Sequence, residues 1–357
     1  MQKKTLLVTG AAGFIGSNLV KRLLQDDQYQ IVAIDKLTYA GNLNSLSDER
    51  ANPNFVFEQA DICDQKQIDA IFEQHCPNGI MHLAAESHVD RSIDGPEQFI
   101  QTNIVGTYRL LQASLNYTQK HPQTDFRFLH VSTDEVFGSL EESDPGFNER
   151  TPYDPHSPYS ASKAASDHLV RAWFDTYKLP ILITNCSNNY GPYQFPEKLI
   201  PVVVLRCLRG EPIPIYGKGD NIRDWLYVGD HCEALKTVFE SGEPGETYNI
   251  GGNNEQTNLG LVKMLCEVLD SLRPRGDNKS YQDQITFVTD RPGHDKRYAI
   301  DATKIKDQLG WEPQEKSETG FRRTIQWYLD NESWWQDILS GSYQLERIGL
   351  KTEEKKS

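Results

Sequence analysis

Six short runs of β-branched and aliphatic residues, at 4–9, 30–35, 54–58, 79–84, 127–132 and 180–185, alternate with helical patterns at 15–26, 64–75, 95–118 and 159–177. No other feature limits the fold so tightly. The runs are apolar nearly throughout rather than at every second position, as strands covered on both faces require. Strand–helix alternation implies right-handed crossovers, so the expected class is α/β, a doubly wound (Rossmann) parallel sheet over residues 1–186. Beyond 186, loops rich in Pro and Gly (191–196, 210–220, 242–254, 291–293) separate helical patterns at 196–209, 229–241, 258–272 and 317–330. These predict a smaller C-terminal α+β substrate domain over 187–340. Part of it, about 222–252, is able to return to the first sheet through 246–250, and 341–357 reads as a tail with a solvated end. A chain of 357 residues has room for two domains.

Charge and composition narrow the partners. A net charge of −14 argues against a nucleic-acid groove or an anionic membrane surface. The apolar start at Leu6-Leu7-Val8 stops at Thr9-Gly10, too short for a signal-peptide core, and no stretch reaches the ~20 residues of a membrane span. The six cysteines (63, 76, 186, 207, 232, 266) form no CxxC, and no His/Cys cluster has zinc spacing. Buried thiols in a reducing, cytoplasmic setting and no metal are expected.

The first run leads into Thr9-Gly10-Ala11-Ala12-Gly13-Phe14-Ile15-Gly16, a Gly-rich turn that opens a helix. The spacing is GxxGxxG rather than GxGxxG, but the physics is shared. Glycines let the backbone approach a pyrophosphate, and the helix start offers free N–H groups and a positive dipole end. Asp35 closes the second run at the ~20-residue distance where a carboxylate takes the ribose hydroxyls and repels a 2′-phosphate, favouring NAD. Lys36 beside it works against that, since a cation tolerates the phosphate. Asp61 and Ile62, past the third run, are positioned to bracket an adenine.

Tyr159 and Lys163 stand one helical turn apart, at the start of the helix after the fifth run. The ammonium, aided by a cationic nicotinamide ring, is expected to lower the phenol's pKa so that it takes a proton from a sugar hydroxyl. Thr133 ends the preceding strand within reach. Asp134 and Glu135 follow directly, at the mouth where such sheets bind ligands. Thr-Asp-Glu is also good helix-start composition. Alternatively the pair is an acid beside a base, since adjacent carboxyls in a dry cleft do not both ionise easily.

With these residues the chain resembles the extended short-chain dehydrogenase/reductase superfamily, and within it the dTDP-glucose 4,6-dehydratase family. The likeness covers most of residues 5–305. It is carried by 9–18, 35–42, 83–90, 132–138, 159–163, Asn188-Asn189-Tyr190-Gly191-Pro192 and 290–295. It implies an NAD-dependent lyase that oxidises C4 of dTDP-glucose, eliminates water across C5–C6 and returns the hydride to C6. Catalytic roles fall to Tyr159 (C4 base), Lys163 and Thr133 (support), Glu135 (C5 base) and Asp134 (acid to the C6 hydroxyl). The cofactor set implied is Gly10, Gly13, Phe14, Ile15, Gly16, Asp35, Lys36, Asp61, Ile62, Leu83, Ala84, Ala85, Ser87, Thr102, Tyr159, Lys163 and Asn189. For the nucleotide-sugar it is Ser87, Thr133, Asn188, Lys198, Leu199, Pro214, Tyr216, Arg223, Asn258 and His294, with Arg291 and Arg297 as further cations.

The rival readings are a nucleotide-sugar 4-epimerase, a dehydratase of another nucleotide sugar, and, from a different class, a non-catalytic binder. Epimerases need no second acid–base pair, so Asp134-Glu135 speaks against them. His82, His88, His130, His168 and His231 read as structural or surface residues, and Trp334-Trp335 as packing or a contact with a partner. Apolar faces on 95–118 (Phe99, Leu111, Leu115) and 159–177 (Leu169, Trp173) suggest a homodimer, or ordinary burial against the sheet.

Overall fold

The computed structural model describes residues 3–290 and 293–340. The tail expected over 341–357 and Arg291 lie outside the described residues. The first half runs β1 (Lys4–Thr9), α1 (Phe14–Leu24), β2 (Tyr29–Asp35), β3 (Phe55–Gln59), α2 (Gln65–His75), β4 (Gly79–His82), α3 (Val89–Asp94), α4 (Pro96–Phe99), a π-helical turn (Ile100–Gly106), α5 (Thr107–Lys120), β5 (Arg127–Thr133), α6 (Pro158–Tyr177) and β6 (Ile181–Cys186). The second half runs β7 (Asn188–Tyr190), α7 (Leu199–Arg209), β8 (Ile213–Tyr216), β9 (Ile222–Tyr227), α8 (Val228–Ser241), β10 (Thr247–Ile250), β11 (Glu255–Thr257), α9 (Asn258–Leu272), β12 (Ile285–Val288), α10 (Thr303–Leu309), α11 (Ser317–Asp330) and α12 (Glu332–Ser340).

Seven parallel strands form the main sheet in the order β10-β6-β5-β4-β1-β2-β3. Leu6 and Val8 of β1 enter one hydrophobic core while Leu7 enters the core on the opposite face. Because successive side chains alternate faces, a strand buried on both sides must be apolar throughout, which explains the unbroken runs in the sequence. β10 joins the sheet beside β6, so the chain does return to it after 242. α8 packs in the same core as α1, and Arg22 forms an ion pair with Glu233 across them.

The strand order reverses between β1 and β4, and ligands bind such sheets outside the strand C-termini at that point. Over this crevice sits a second core built on α7, α9, α11 and α12, with the small sheets β11-β9-β7 and β12-β8 at its edge. Trp334 donates from its indole to Ser45 Oγ at 3.2 Å, and Trp335 to the Tyr328 carbonyl at 2.9 Å. Both rings pack as expected. All six cysteines are free thiols. Among the described residues no helix is long and apolar enough to cross a membrane.

Candidate active site

Three chain features shape the crevice floor. Gly10 has φ +68°, and a Cβ there would lie 2.7 Å from Ala84 N. A Cβ on Gly16 would lie 2.1 Å from the Gly10 carbonyl oxygen. Only glycine permits that approach. Gly13 is the N-cap of α1 and supplies no side-chain acceptor, and the first turn carries no acid. The helix start therefore presents unsatisfied N–H groups and a positive dipole end to the crevice, the arrangement a pyrophosphate needs.

Asp35 sits at the end of β2, where its carboxylate accepts from Ala12 N (2.9 Å) and Leu37 N (2.8 Å). Burial pushes its pKa up, and those two bonds oppose the shift. Leu37 adopts φ +59°, unusual for a branched residue, as the chain folds back over the carboxylate. Lys36, the residue that argued against NAD, places Nζ 2.6 Å from Asp61 Oδ2. The cation is thus engaged, leaving Asp35 to govern the ribose side. A glycine cradle, a free helix start and a ribose-side carboxylate with its neighbouring cation paired fit NAD.

One cavity of about 340 Å³ is lined by every residue expected to hold the cofactor, from Gly10 through Asp35, Ala84 and Thr102 to Asn189. The same cavity is lined by Thr133, Asp134, Glu135, Tyr159 and Lys163, and by Ser87, Asn188 and Lys198. Pro158 at N1 and a Ser157/Ser160 capping box start α6 so that Tyr159 falls in its first turn. Thr133 ends β5 and caps the 3₁₀ turn Asp134–Phe137 by accepting from Glu135 N at 3.3 Å. The helix-start reading of Thr-Asp-Glu is therefore realised, in the same residues that face the cavity.

Asp134 is 1% exposed, and its Oδ2 is buried without a hydrogen-bond partner. Burial, then the charges of Glu135 and Asp224, hold its pKa well above the carboxylate range. Its surroundings thus favour the protonated form beside Glu135. Lys163 donates to the Val131 carbonyl at 2.9 Å. Burial lowers its pKa, opposed by Asp167. The phenol of Tyr159 is shifted upward, by burial first and Glu135 second. The expected lowering by Lys163 is not realised by the protein alone, because the ammonium is drawn to a strand carbonyl.

Beneath Lys163, sequence reasoning missed Asp167. Its carboxylate accepts from Ser132 Oγ (2.8 Å) and Tyr153 OH (3.0 Å) and lies 3.1 Å from His130 Nε2. The signal was available, since Tyr159, Lys163 and Asp167 recur at i, i+4 and i+8 on one helix face. The cavity lining also includes Thr38, Glu86, Gln98, Phe195 and Glu197, whose residue types carried no signal.

The remaining nucleotide-sugar candidates, Leu199, Pro214, Tyr216, Arg223, Asn258 and His294, lie outside that lining. Tyr216 OH lies 3.4 Å from Asp90 Oδ2, and its ring meets His294 edge-on at 6.4 Å. His294 Nδ1 bonds Asp290 at 2.7 Å. The Arg223 guanidinium donates to the carbonyls of Ile222 (2.7 Å) and Asp295 (2.9 Å) and lies over the Tyr298 ring. Arg297 is corrected as a diphosphate cation: it is committed to Glu255 by two bonds of 2.6 and 2.8 Å. Of the histidines, His82 bridges Thr9 and Thr107, His130 contacts Ser166, and His231 bonds Asn189. Phe99, Leu111 and Leu115 are buried within the chain, so they follow the ordinary-burial reading. Among the described residues no His/Cys/Asp/Glu group is arranged to hold a metal.

A family model described as GDP-mannose 4,6 dehydratase matches residues 7–324. The chain is similar to a dTDP-glucose 4,6-dehydratase of Neisseria meningitidis serogroup B, 57% identical over 97% of this chain and 99% of that one. It is similar to dTDP-glucose 4,6-dehydratase 1 of Escherichia coli K12, 58% identical over 95% and 96% of the two chains. Among solved structures, the dTDP-glucose 4,6-dehydratase of Streptomyces venezuelae with NAD and TYD bound superposes with TM-score 0.86. That protein is 43% identical, and the match covers 94% of this chain and 99% of that one.

Proposed function

The chain belongs to the GDP-mannose 4,6 dehydratase family, and we infer that its reaction is the one for which its similar proteins are named, dehydration of dTDP-glucose to dTDP-4-keto-6-deoxyglucose. It is an NAD-dependent lyase. The observation that carries this reading is a buried Asp134 carboxyl, its Oδ2 without a hydrogen-bond partner, beside Glu135 in the cavity that also holds Tyr159. An epimerase has work for Tyr159 but none for this pair.

NAD, when bound, supplies a reversible two-electron store. The chain's residues supply the proton chemistry. Tyr159 takes the proton of the C4 hydroxyl, and Thr133 holds the same oxygen. Once C4 is a ketone, the C5 hydrogen becomes acidic enough for a carboxylate to remove, which fixes the order of steps. Glu135 takes it. Asp134, kept protonated by burial and by its neighbours, gives its proton to the departing C6 hydroxyl. Ser87, Asn188 and Lys198 bind the sugar end, while Arg223, Tyr216, Pro214, Asn258, Leu199 and His294 receive the nucleotide.

Residues 1–186, with a contribution from about 222–252, act as the cofactor half and the rest of 187–340 as the substrate half, a division supported by their hydrophobic cores. A cytoplasmic homodimer through α5 and α6 is proposed on the partly buried Leu169 and Trp173 and on Ile100 and Tyr177, each 50% exposed. Sedimentation at micromolar concentration tests it. Mass spectrometry of turnover tests the function: dTDP-glucose gives a product lighter by one water, faster than UDP-glucose or GDP-mannose does. A product of unchanged mass contradicts it.

A further inference from the structure

Glu197 is a carboxylate that the reaction does not use. Its side chain is only 2% exposed. Oε1 accepts from Tyr39 OH at 3.1 Å and Oε2 from Arg91 Nε at 3.1 Å. The Arg91 guanidinium lies 3.9 Å from the centre of the Tyr39 ring, and Phe195 meets that ring edge-on at 5.6 Å. Three segments distant in sequence therefore close on one point: the loop after β2, helix α3, and the segment leading into α7.

Both ends of this junction carry ligand-side groups. Tyr39 belongs to the loop that folds back over Asp35 through Leu37 N, and in which Gly41 leaves no room for a Cβ beside the Asp35 carboxylate. Glu197 precedes Lys198, whose Nζ donates to the Ser87 carbonyl at 2.8 Å. Thr38, Gly41, Ser87, Phe195 and Glu197 all line the one cavity. A buried carboxylate with two directed donors is costly to leave half-paired, unlike a surface ion pair. Moving the loop after β2 away from the ribose side requires breaking the Tyr39–Glu197 bond and lifting the Tyr39 ring off the Arg91 guanidinium, which leaves the buried carboxylate half-paired.

We propose that Glu197, through Tyr39 and Arg91, is a strap that ties the ribose-side loop to the substrate-side loop and sets how slowly the dinucleotide leaves. The inference rests on the NAD reading of this cavity. Glu197 is a positioning residue in this account. By reciprocity, a ligand on the Lys198 side that favours the closed strap tightens the dinucleotide by the same factor by which the dinucleotide tightens that ligand. Retention suits a reaction whose two electrons must be returned within the same cycle.

The test is the dissociation rate of radiolabelled NAD from the full-length protein, chased with excess unlabelled NAD, in Tyr39→Phe, Glu197→Gln and the double variant. Each single change is expected to speed release about tenfold, the scale of one charge-assisted hydrogen bond. The double variant should fall short of the product of the singles, because the two share one junction. The melting temperature of the NAD-stripped protein stays near the parent's. Release at the parental rate from folded variants overturns the strap, as does faster release that merely tracks a lowered melting temperature of the stripped protein. Should Glu197→Gln not fold, Tyr39→Phe decides alone, since it removes one oxygen from a partly exposed ring. A parent that holds no NAD overturns the cofactor reading itself, a result distinct from failure of the strap.

Discussion

Two adjacent carboxyls sit in different surroundings, Asp134 buried and Glu135 half-buried. Asp134 keeps its proton in the native state above the pH, near 4, where an unfolded aspartate releases it. The native state then binds more protons than the unfolded one, so stability falls as pH rises from that value through the native pKa. Asp134→Asn removes the cost. Thermal melts between pH 4 and 8 should show no gain near pH 4 and a gain of roughly 0.5–2 kcal/mol at neutrality, while dehydration slows about 100-fold or more. A neutral-pH loss of stability contradicts the assignment. Glu135→Gln has another signature: C4 oxidation proceeds, but C5 exchange with deuterated water and loss of water both fall by about 10²–10⁴. Proton NMR of the C5 position reads it directly.

At the scale of elements, α1 does most to define the cofactor site. Its uncapped start and the Gly10–Gly16 contact leave no space for a methyl group. Gly16→Ala should abolish NAD retention, seen by equilibrium dialysis, while far-UV dichroism of the variant stays close to the parent's. Six of the seven strands of the main sheet were legible in the sequence because their runs are largely apolar, and observed boundaries such as Lys4–Thr9 for β1 match the pattern. Strands β7, β8, β9, β11 and β12 were not legible. β7 and β11 span three residues each, too few to show a period of two, and they form only when distant segments meet. The π-helical turn Ile100–Gly106 was equally hidden inside one helical pattern. It aims Asn103 at Glu86, whose backbone N–H it receives at 2.9 Å, and at Ser162 Oγ at 2.8 Å, a placement a regular helix over 95–118 does not predict.

The whole molecule is a sheet with a core on each face and a further core closed over the crevice at the sheet's reversal point. Helix α12 holds them together: Trp334 lies in the second core, yet its indole reaches Ser45 of the first half. Trp334→Ala should cost about 3–5 kcal/mol, the range for a buried aromatic truncated to a methyl, and lower the melting temperature without altering the order of chemical steps. That Thr133, Asp134, Glu135, Tyr159 and Lys163 share one cavity was legible because short spacings fix them to a strand end and to one helix turn. Tyr216, Arg223 and His294 come from separate loops of the second half, so only the assembled protein brings Tyr216 to His294. The central claim is that one carbon lends its electrons so that a neighbouring bond loosens, and a third carbon receives them. Turnover of dTDP-glucose deuterated at C4 measures this most directly. The account predicts deuterium in the C6 methyl group of the keto product. Deuterium recovered at C4 of an unchanged or epimerised sugar contradicts it.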